Sequence, residues 1–280
     1  MILVADSGST KTNWACLADN RSFHFNTIGM NPYFVTEEIV RNEIQNNFPA
    51  EVSTSAVSKI YFYGSGCGRL ESQMTIKNAL STIFSEAEII VDSDLVGAAI
   101  ACYGEGSGVV AILGTGMNIG YWDGSKLETP MPSLGYIFGD AGSGAVLGRK
   151  LIQAVFEKRF SQNLIDAFQQ KYHLELSELL DKVYKQPRPN TFLASFVPFL
   201  SGNIENEEIK NLLHDAYCEF AKVYAKPISE KYNTSSISFV GSLSQVFQEI
   251  ISSELANFGL NVKNIVSSPL QNIEQFYMNN

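Results

Sequence analysis

Basic charge, cysteine and long apolar runs are all scarce in this chain. Lys and Arg number 20 against 29 Asp and Glu, a net charge of −9 over 280 residues. That balance excludes a broad basic footprint for nucleic acid. An anionic ligand therefore has to be held by backbone amides, a metal and a few local cations. The four cysteines, Cys16, Cys67, Cys102 and Cys218, are scattered with no Cys-x-x-Cys pair. This argues against a zinc site or a disulfide framework and fits a reducing compartment. No stretch of about 20 apolar residues is available to span a membrane. Met1 leads straight into a strand-like run with no basic region before it, so no signal peptide is expected. The histidines, His24, His173 and His214, fall outside every motif. The expectation is a cytoplasmic protein without a membrane or nucleic-acid partner.

Two glycine-rich turns stand out against this background. Asp6-Ser7-Gly8-Ser9-Thr10-Lys11-Thr12 follows the apolar run Ile2–Ala5, and Gly114-Thr115-Gly116 follows Val109–Leu113. In each case an apolar stretch resumes after the turn, which is a hairpin signature. Turns of glycines and small hydroxyls expose backbone N–H groups that can cradle phosphate oxygens. Two of them suggest a nucleotide held between two similar halves, and an ancient duplication.

The remaining pattern alternates strands and helices, giving an α/β class. Strands are predicted near 2–6, 13–18, 22–27, 57–63, 88–91, 109–122, 236–240 and 261–266. Helices are predicted at 36–48, with Ile39, Val40, Ile44 and Phe48 on or near one face, and at 70–84, 94–103 and about 144–159. A mostly helical stretch covers 161–230, and further helices start at 242 and 269. Gly104-Glu105-Gly106-Ser107-Gly108 reads as the best linker. It divides the chain into domains of 1–106 and 107–280, with the last helix free to pack back on the first. Cys67, within Gly64–Gly68, reads as a small buried core residue, and Phe192–Leu200 as core packing.

Five motifs in order resemble the N-acetylglucosamine kinase and BadF-type ATPase group, within the superfamily of sugar kinases, heat-shock ATPases and actin. They are Asp6-x-Gly8-x-Thr10-x-Thr12, Gly29-x-Asn31-Pro32, Asp94-x-x-x-Ala98-Ala99, Gly114-Thr115-Gly116-x-Asn118 and Gly139-Asp140-x-Gly142-Ser143. Phe239–Leu243 resembles that group's adenosine loop. The chain departs in having Ser7-Gly8-Ser9 where several relatives have consecutive glycines, and Met117 where Ser is common. The resemblance implies two RNase H-like domains of the actin-like ATPase fold with an interdomain nucleotide cleft. It also implies ATP, Mg²⁺ and transfer of a phosphoryl group to an amino sugar, with N-acetylglucosamine at its 6-hydroxyl the leading candidate.

Asp6 ends a buried strand, where a carboxylate can hold Mg²⁺ through water. Gly8, Ser9, Thr10, Lys11 and Thr12 would form the first phosphate loop, and Gly114, Thr115 and Gly116 the second. Gly241 and Ser242 would approach adenine or ribose. By itself Asp94 reads either as a helix cap or as a base within reach of an attacking hydroxyl. The resemblance selects the base, over its neighbour Asp92. It also implies sugar contacts from Asn31, Asn118 and Asp140. Glucosamine, N-acetylmuramate or a neutral hexose stay open as substrates within the class. A BadF-type ATPase activating a 2-hydroxyacyl-CoA dehydratase is the rival reading, and a non-catalytic sugar sensor or an assembling actin-like ATPase a third. A homodimer is compatible with all of them.

Overall fold

The protein is described here by a computed structural model, which covers residues 1–18 and 21–279. It forms two compact units. One comprises Met1–Val110, Trp122–Leu127 and Ser268–Asn280, the other Ala111–Tyr121 and Glu128–Ser267.

The first unit is built on strands β1 (Ile2–Ser7), β2 (Lys11–Ala18), β3 (Arg21–Ile28), β4 (Lys59–Gly64) and β5 (Glu88–Ser93). Their order is β3-β2-β1-β4-β5. The first three are an antiparallel meander, and β4 and β5 join parallel to β1. Alternation along β1 splits its side chains between faces. Leu3 and Ala5 enter an apolar cluster with Trp14, Cys16, Ile44 and Leu80, covered by helices Glu37–Asn47 and Leu70–Ile83. The opposite face carries a row running across paired positions: Asn26, Asn13, Asp6, Tyr63 and Asp92. Helices Asp94–Tyr103 and Leu270–Asn279 pack on that side. Glu274 of the last helix bonds His24 at 2.9 Å, and Asn272 donates to the Ala101 carbonyl.

The second sheet contains β6 (Gly108–Leu113), β7 (Met117–Trp122), β8 (Leu127–Glu128), β9 (Ser236–Val240) and β10 (Asn261–Val266), ordered β10-β9-β6-β7-β8. Read from the other edge, this is third, second, first, fourth, fifth, the same order as in the first sheet. The suspected duplication is therefore legible in topology, where sequence similarity between the halves is weak. This two-unit α/β architecture is the predicted fold class.

Three local expectations differ from the structure. Ile39 is exposed, while Val40 and Ile44 are buried as expected. The helix expected to reach 159 stops at Phe156, because Lys158 adopts a left-handed φ of 55°. The Gly104–Gly108 stretch, expected as a linker, is a fastened turn. The Tyr103 hydroxyl donates to the Val109 carbonyl, and Trp122 Nε1 donates to the Gly104 carbonyl. Those ties keep residues 107–110 with the first unit. Among the described residues, no helix is long and apolar enough to cross a membrane.

Gly148, in helix Gly144–Phe156, meets the backbone of Leu193 in helix Pro189–Ala194 where a Cβ would stand. Helix propensity favours Ala over Gly by about 1 kcal/mol. Here the obstacle is a backbone carbonyl that cannot rotate away, so the clash dominates. Gly148→Ala is expected to lose about 1–3 kcal/mol. Urea unfolding should show a lower midpoint with an unchanged slope; an equal or higher midpoint would refute the close crossing.

Candidate active site

In the first unit, the turn between β1 and β2 is closed by the Gly8 N–H donating to the Lys11 carbonyl at 3.0 Å. Two buried hydroxyls hold its base. Ser7 Oγ and Thr12 Oγ1 lie 2.7 Å apart, Thr12 donates to the Ile28 carbonyl, and Ser7 accepts from the Met30 N–H. Thr12 is fully buried with its hydroxyl committed in this way. Its side chain therefore holds the base of the loop from within. Gly8, Thr10 and Lys11 are exposed and Ser9 is half-buried. Gly29 lies against the loop so closely that a Cβ would stand 2.5 Å from the Gly8 carbonyl oxygen, and its N–H donates to the Thr10 carbonyl.

Asn31 is buried two residues further on. Its Oδ1 accepts the Tyr33 N–H, and its carbonyl accepts from Phe34 and Val35. One end of its amide is thus used to form its own turn.

Asp94 is the first residue of its helix, with Ser93 as the cap. Its carboxylate accepts the N–H groups of Leu95 and of Asp94 itself, which lowers its pKa, but burial outweighs this and raises the value to about 6. Asp6 is raised to about 7, first by burial and then by the charge of Asp94, against a lowering hydrogen bond from Asn13. Neither carboxylate enters an ion pair among the described residues. Asp92, the rival, accepts the Ser93 N–H at 2.7 Å. Cys67 is buried, and burial together with Asp94 and Asp92 pushes its thiol up to about 12, the opposite of an activated thiolate.

In the second unit, Gly114 closes its turn by donating to the Gly116 carbonyl at 3.0 Å. The first N–H groups of helix Gly144–Phe156 bind the carbonyls of Gly114 and Thr115 at 2.8 and 3.0 Å. The start of that helix is therefore spent on anchoring the loop. Gly241, with φ 113°, abuts the backbone of Leu113 at the end of β6. This brings Gly241 and the exposed Ser242 beside the second loop.

Asp140 has a left-handed φ of 59° and is buried. Its carboxylate accepts the Met117 N–H, yet burial raises its pKa to about 6, and Oδ1 has no hydrogen-bond partner. Asp140, Asn118 and Met117 line one pocket together with Met131, Leu134 and Tyr224. Met117 meets Asp140 through its main chain, so the departure from Ser leaves that bond intact. The structure thus brings the first-loop residues, Asn31 and Asp94 into one unit, and Gly114–Gly116, Asn118, Asp140 and Gly241–Ser242 into the other. Tyr224 and the 131–134 segment were not singled out from the sequence. Tyr224 is one aromatic residue in a long helical stretch, with no local motif to mark it.

No family model and no curated protein sequence matches the chain. Solved structures do. A Porphyromonas gingivalis protein provisionally named an N-acetylglucosamine kinase is 32% identical, with 100% of this chain and 99% of that one aligned at a TM-score of 0.90. The chain belongs to the sugar kinases of the actin-like ATPase fold. A Chromobacterium violaceum protein given the same provisional name is 15% identical over 98% of each chain, at a TM-score of 0.70. A Streptomyces griseus glucokinase, solved with glucose and AMPPNP, is 13% identical over 99% of this chain and 97% of its own, at 0.56. At these lower identities the likeness is one of fold. It does not single out the BadF-type branch.

Among the described residues of the kinase, no group of three or more His, Cys, Asp or Glu side chains could hold a metal by itself. Mg²⁺ characteristically takes only one or two carboxylates and completes its shell with water and phosphate oxygens. Asp6 and Asp94 fit that donor set: both are carboxylates of the first unit with no ion-pair partner among the described residues, and Asp94's charge bears on Asp6.

A carboxyl whose folded pKa lies above its ordinary value of 3.8 retains a proton that the unfolded chain releases. Stability is then full at low pH and is lost as pH rises from about 4 through the folded value of about 7 for Asp6. Asp6→Asn removes that loss. The ligand-free variant should melt several degrees above wild type at pH 8, with the gap closing toward pH 4. Melting curves across this range check it; a gap independent of pH would show that Asp6 is not strained by its ionisation.

Proposed function

We propose that the protein transfers the γ-phosphoryl group of ATP to an amino sugar, N-acetylglucosamine at its 6-hydroxyl. The observation that carries this reading is Asp94, a carboxylate at a helix start whose remaining partners are backbone N–H groups, in a chain with a full-length relative provisionally named for that sugar. The Gly8–Lys11 turn and Gly114–Gly116 supply backbone N–H groups to the phosphates, with Gly241 and Ser242 toward the nucleoside. Thr12 supports the first turn from within.

Asp94 accepts the proton of the attacking sugar hydroxyl. The oxygen bonds to the γ-phosphorus as the bond to the bridging oxygen of ADP breaks, and the leaving charge stays on ADP. Asp6 would hold Mg²⁺, directly or through water, and the bound ion would supply neutralisation of phosphate charge. Asp140 accepts hydrogen bonds from sugar hydroxyls, which a carboxylate can do twice over. Asn31 and Asn118 add amide contacts.

Asp94→Asn should cut kcat by about 10²–10⁴-fold, the usual range for losing a general base, while calorimetric binding of ATP and sugar stays near wild type. In the wild type, kcat/KM should fall tenfold per pH unit below about 6, because the base is then protonated. A variant with unchanged turnover would remove Asp94 from the mechanism. ADP release should be measured over N-acetylglucosamine, glucosamine, N-acetylmuramate and glucose. Preference for glucose would overturn the amino-sugar assignment. Sugar-independent ATP hydrolysis with stoichiometric iron in anaerobically purified protein would favour the BadF-type reading.

A further inference from the structure

The geometry points to Tyr224 as a sugar-contacting residue that works as a unit with Asp140. This inference rests on the reading of the Asp140 pocket as the sugar site.

Tyr224 lies in Ala221–Ala225, a π-helical turn between helices Glu207–Phe220 and Lys226–Lys231. A π turn re-aims the side chains around it and occurs often at functional sites. Here it sets Tyr224 beneath the Gly139–Asp140 turn. A Cβ on Gly139 would stand 3.0 Å from the phenol oxygen, so the turn and the hydroxyl are in direct contact. The ring stacks on Phe220, with centroids 6.3 Å apart, which fixes its tilt. Tyr224 is half-buried and lines the pocket beside Asn118 and Asp140.

Hydrogen-bond bookkeeping then assigns the roles. A phenol has one proton to give and can accept in return. Tyr224 lies against the Gly139–Asp140 turn. Its proton does not go to Asp140 Oδ1, which is buried and without a partner. An ionised carboxylate only accepts, and a sugar hydroxyl both gives and accepts. A hydroxyl seated between the Asp140 carboxylate and Tyr224 would be satisfied in both directions, by donating to the carboxylate and accepting from the phenol.

The test is Tyr224→Phe, which keeps the ring and its stacking and deletes only the hydroxyl. The KM for the sugar should rise about three- to tenfold, the effect of one neutral hydrogen bond, with the ATP KM and melting temperature unchanged. The variant should also lose discrimination against the deoxy sugar lacking the hydroxyl that Tyr224 meets. A monodeoxy series of the best wild-type substrate identifies that position. Tyr224→Ala, which also removes the stacking, serves as the packing control and should lower the melting temperature. An unchanged sugar KM in Tyr224→Phe overturns the inference. So does a rise shared equally by ATP and sugar, or a rise that tracks a fall in melting temperature. If wild type prefers a neutral hexose, the series is run on that hexose, so the amino-sugar assignment can fail while Tyr224 stands. A wild type that neither binds nor phosphorylates any sugar overturns both.

Discussion

Backbone against backbone, with no side chain between, is the contact on which both candidate phosphate loops depend. Each loop follows the middle strand of its sheet, and each is pressed by a glycine from a distant segment: Gly29 on the first, Gly241 at the root of the second. A Cβ at either point would displace main chain and not a flexible side chain, so the loops would open or the neighbouring segment would withdraw. Close approach also serves ligand chemistry. Loops stripped of bulk leave N–H groups at the surface, where they can meet phosphate oxygens. In a chain of net charge −9, such neutral donors are available for the work that a cluster of lysines would do elsewhere.

The same architecture concentrates negative charge. The register of the first sheet sets Asp6 between Asn13 and Tyr63, with Asp92 beyond. The turn after β5 starts the helix that carries Asp94, whose charge reaches Asp6. Burial raises both carboxylates, and the charge of Asp94 raises Asp6 further. This is a standing cost in the ligand-free protein, and a bound cation would relieve it. Catalytic sites commonly combine burial and like charge in this way. In the second unit burial likewise raises the pKa of Asp140.

Much of this was legible in the sequence. Strands, hairpins and helix starts followed from period, turn chemistry and small-residue runs, all properties of neighbours along the chain. The candidate loops were visible because glycine and hydroxyl residues cluster there. Three things were not legible. Thr12 looks like any loop hydroxyl until its burial beside Ser7 is seen. The Gly104–Gly108 stretch has the composition of a linker, yet Tyr103 and Trp122, one of them eighteen residues away from the carbonyl it binds, tie it down. Tyr224 has no motif around it, and its placement depends on a π turn that no simple periodicity announces.

The division follows from the range of the forces involved. Local propensity and alternation are short-range, and they suffice for element order, for the identity of the two loops and for the α/β class. Which of two nearby carboxylates, Asp92 or Asp94, shares its charge with Asp6 depends on strand pairing and helix docking. Whether a hydroxyl is spent inside the protein or kept for a ligand depends on the same long-range contacts. The orphaned oxygen of Asp140 arises only where a turn from one part of the chain meets an aromatic residue more than eighty positions later, because burial and hydrogen-bond satisfaction are properties of the packed molecule and not of its neighbours in sequence.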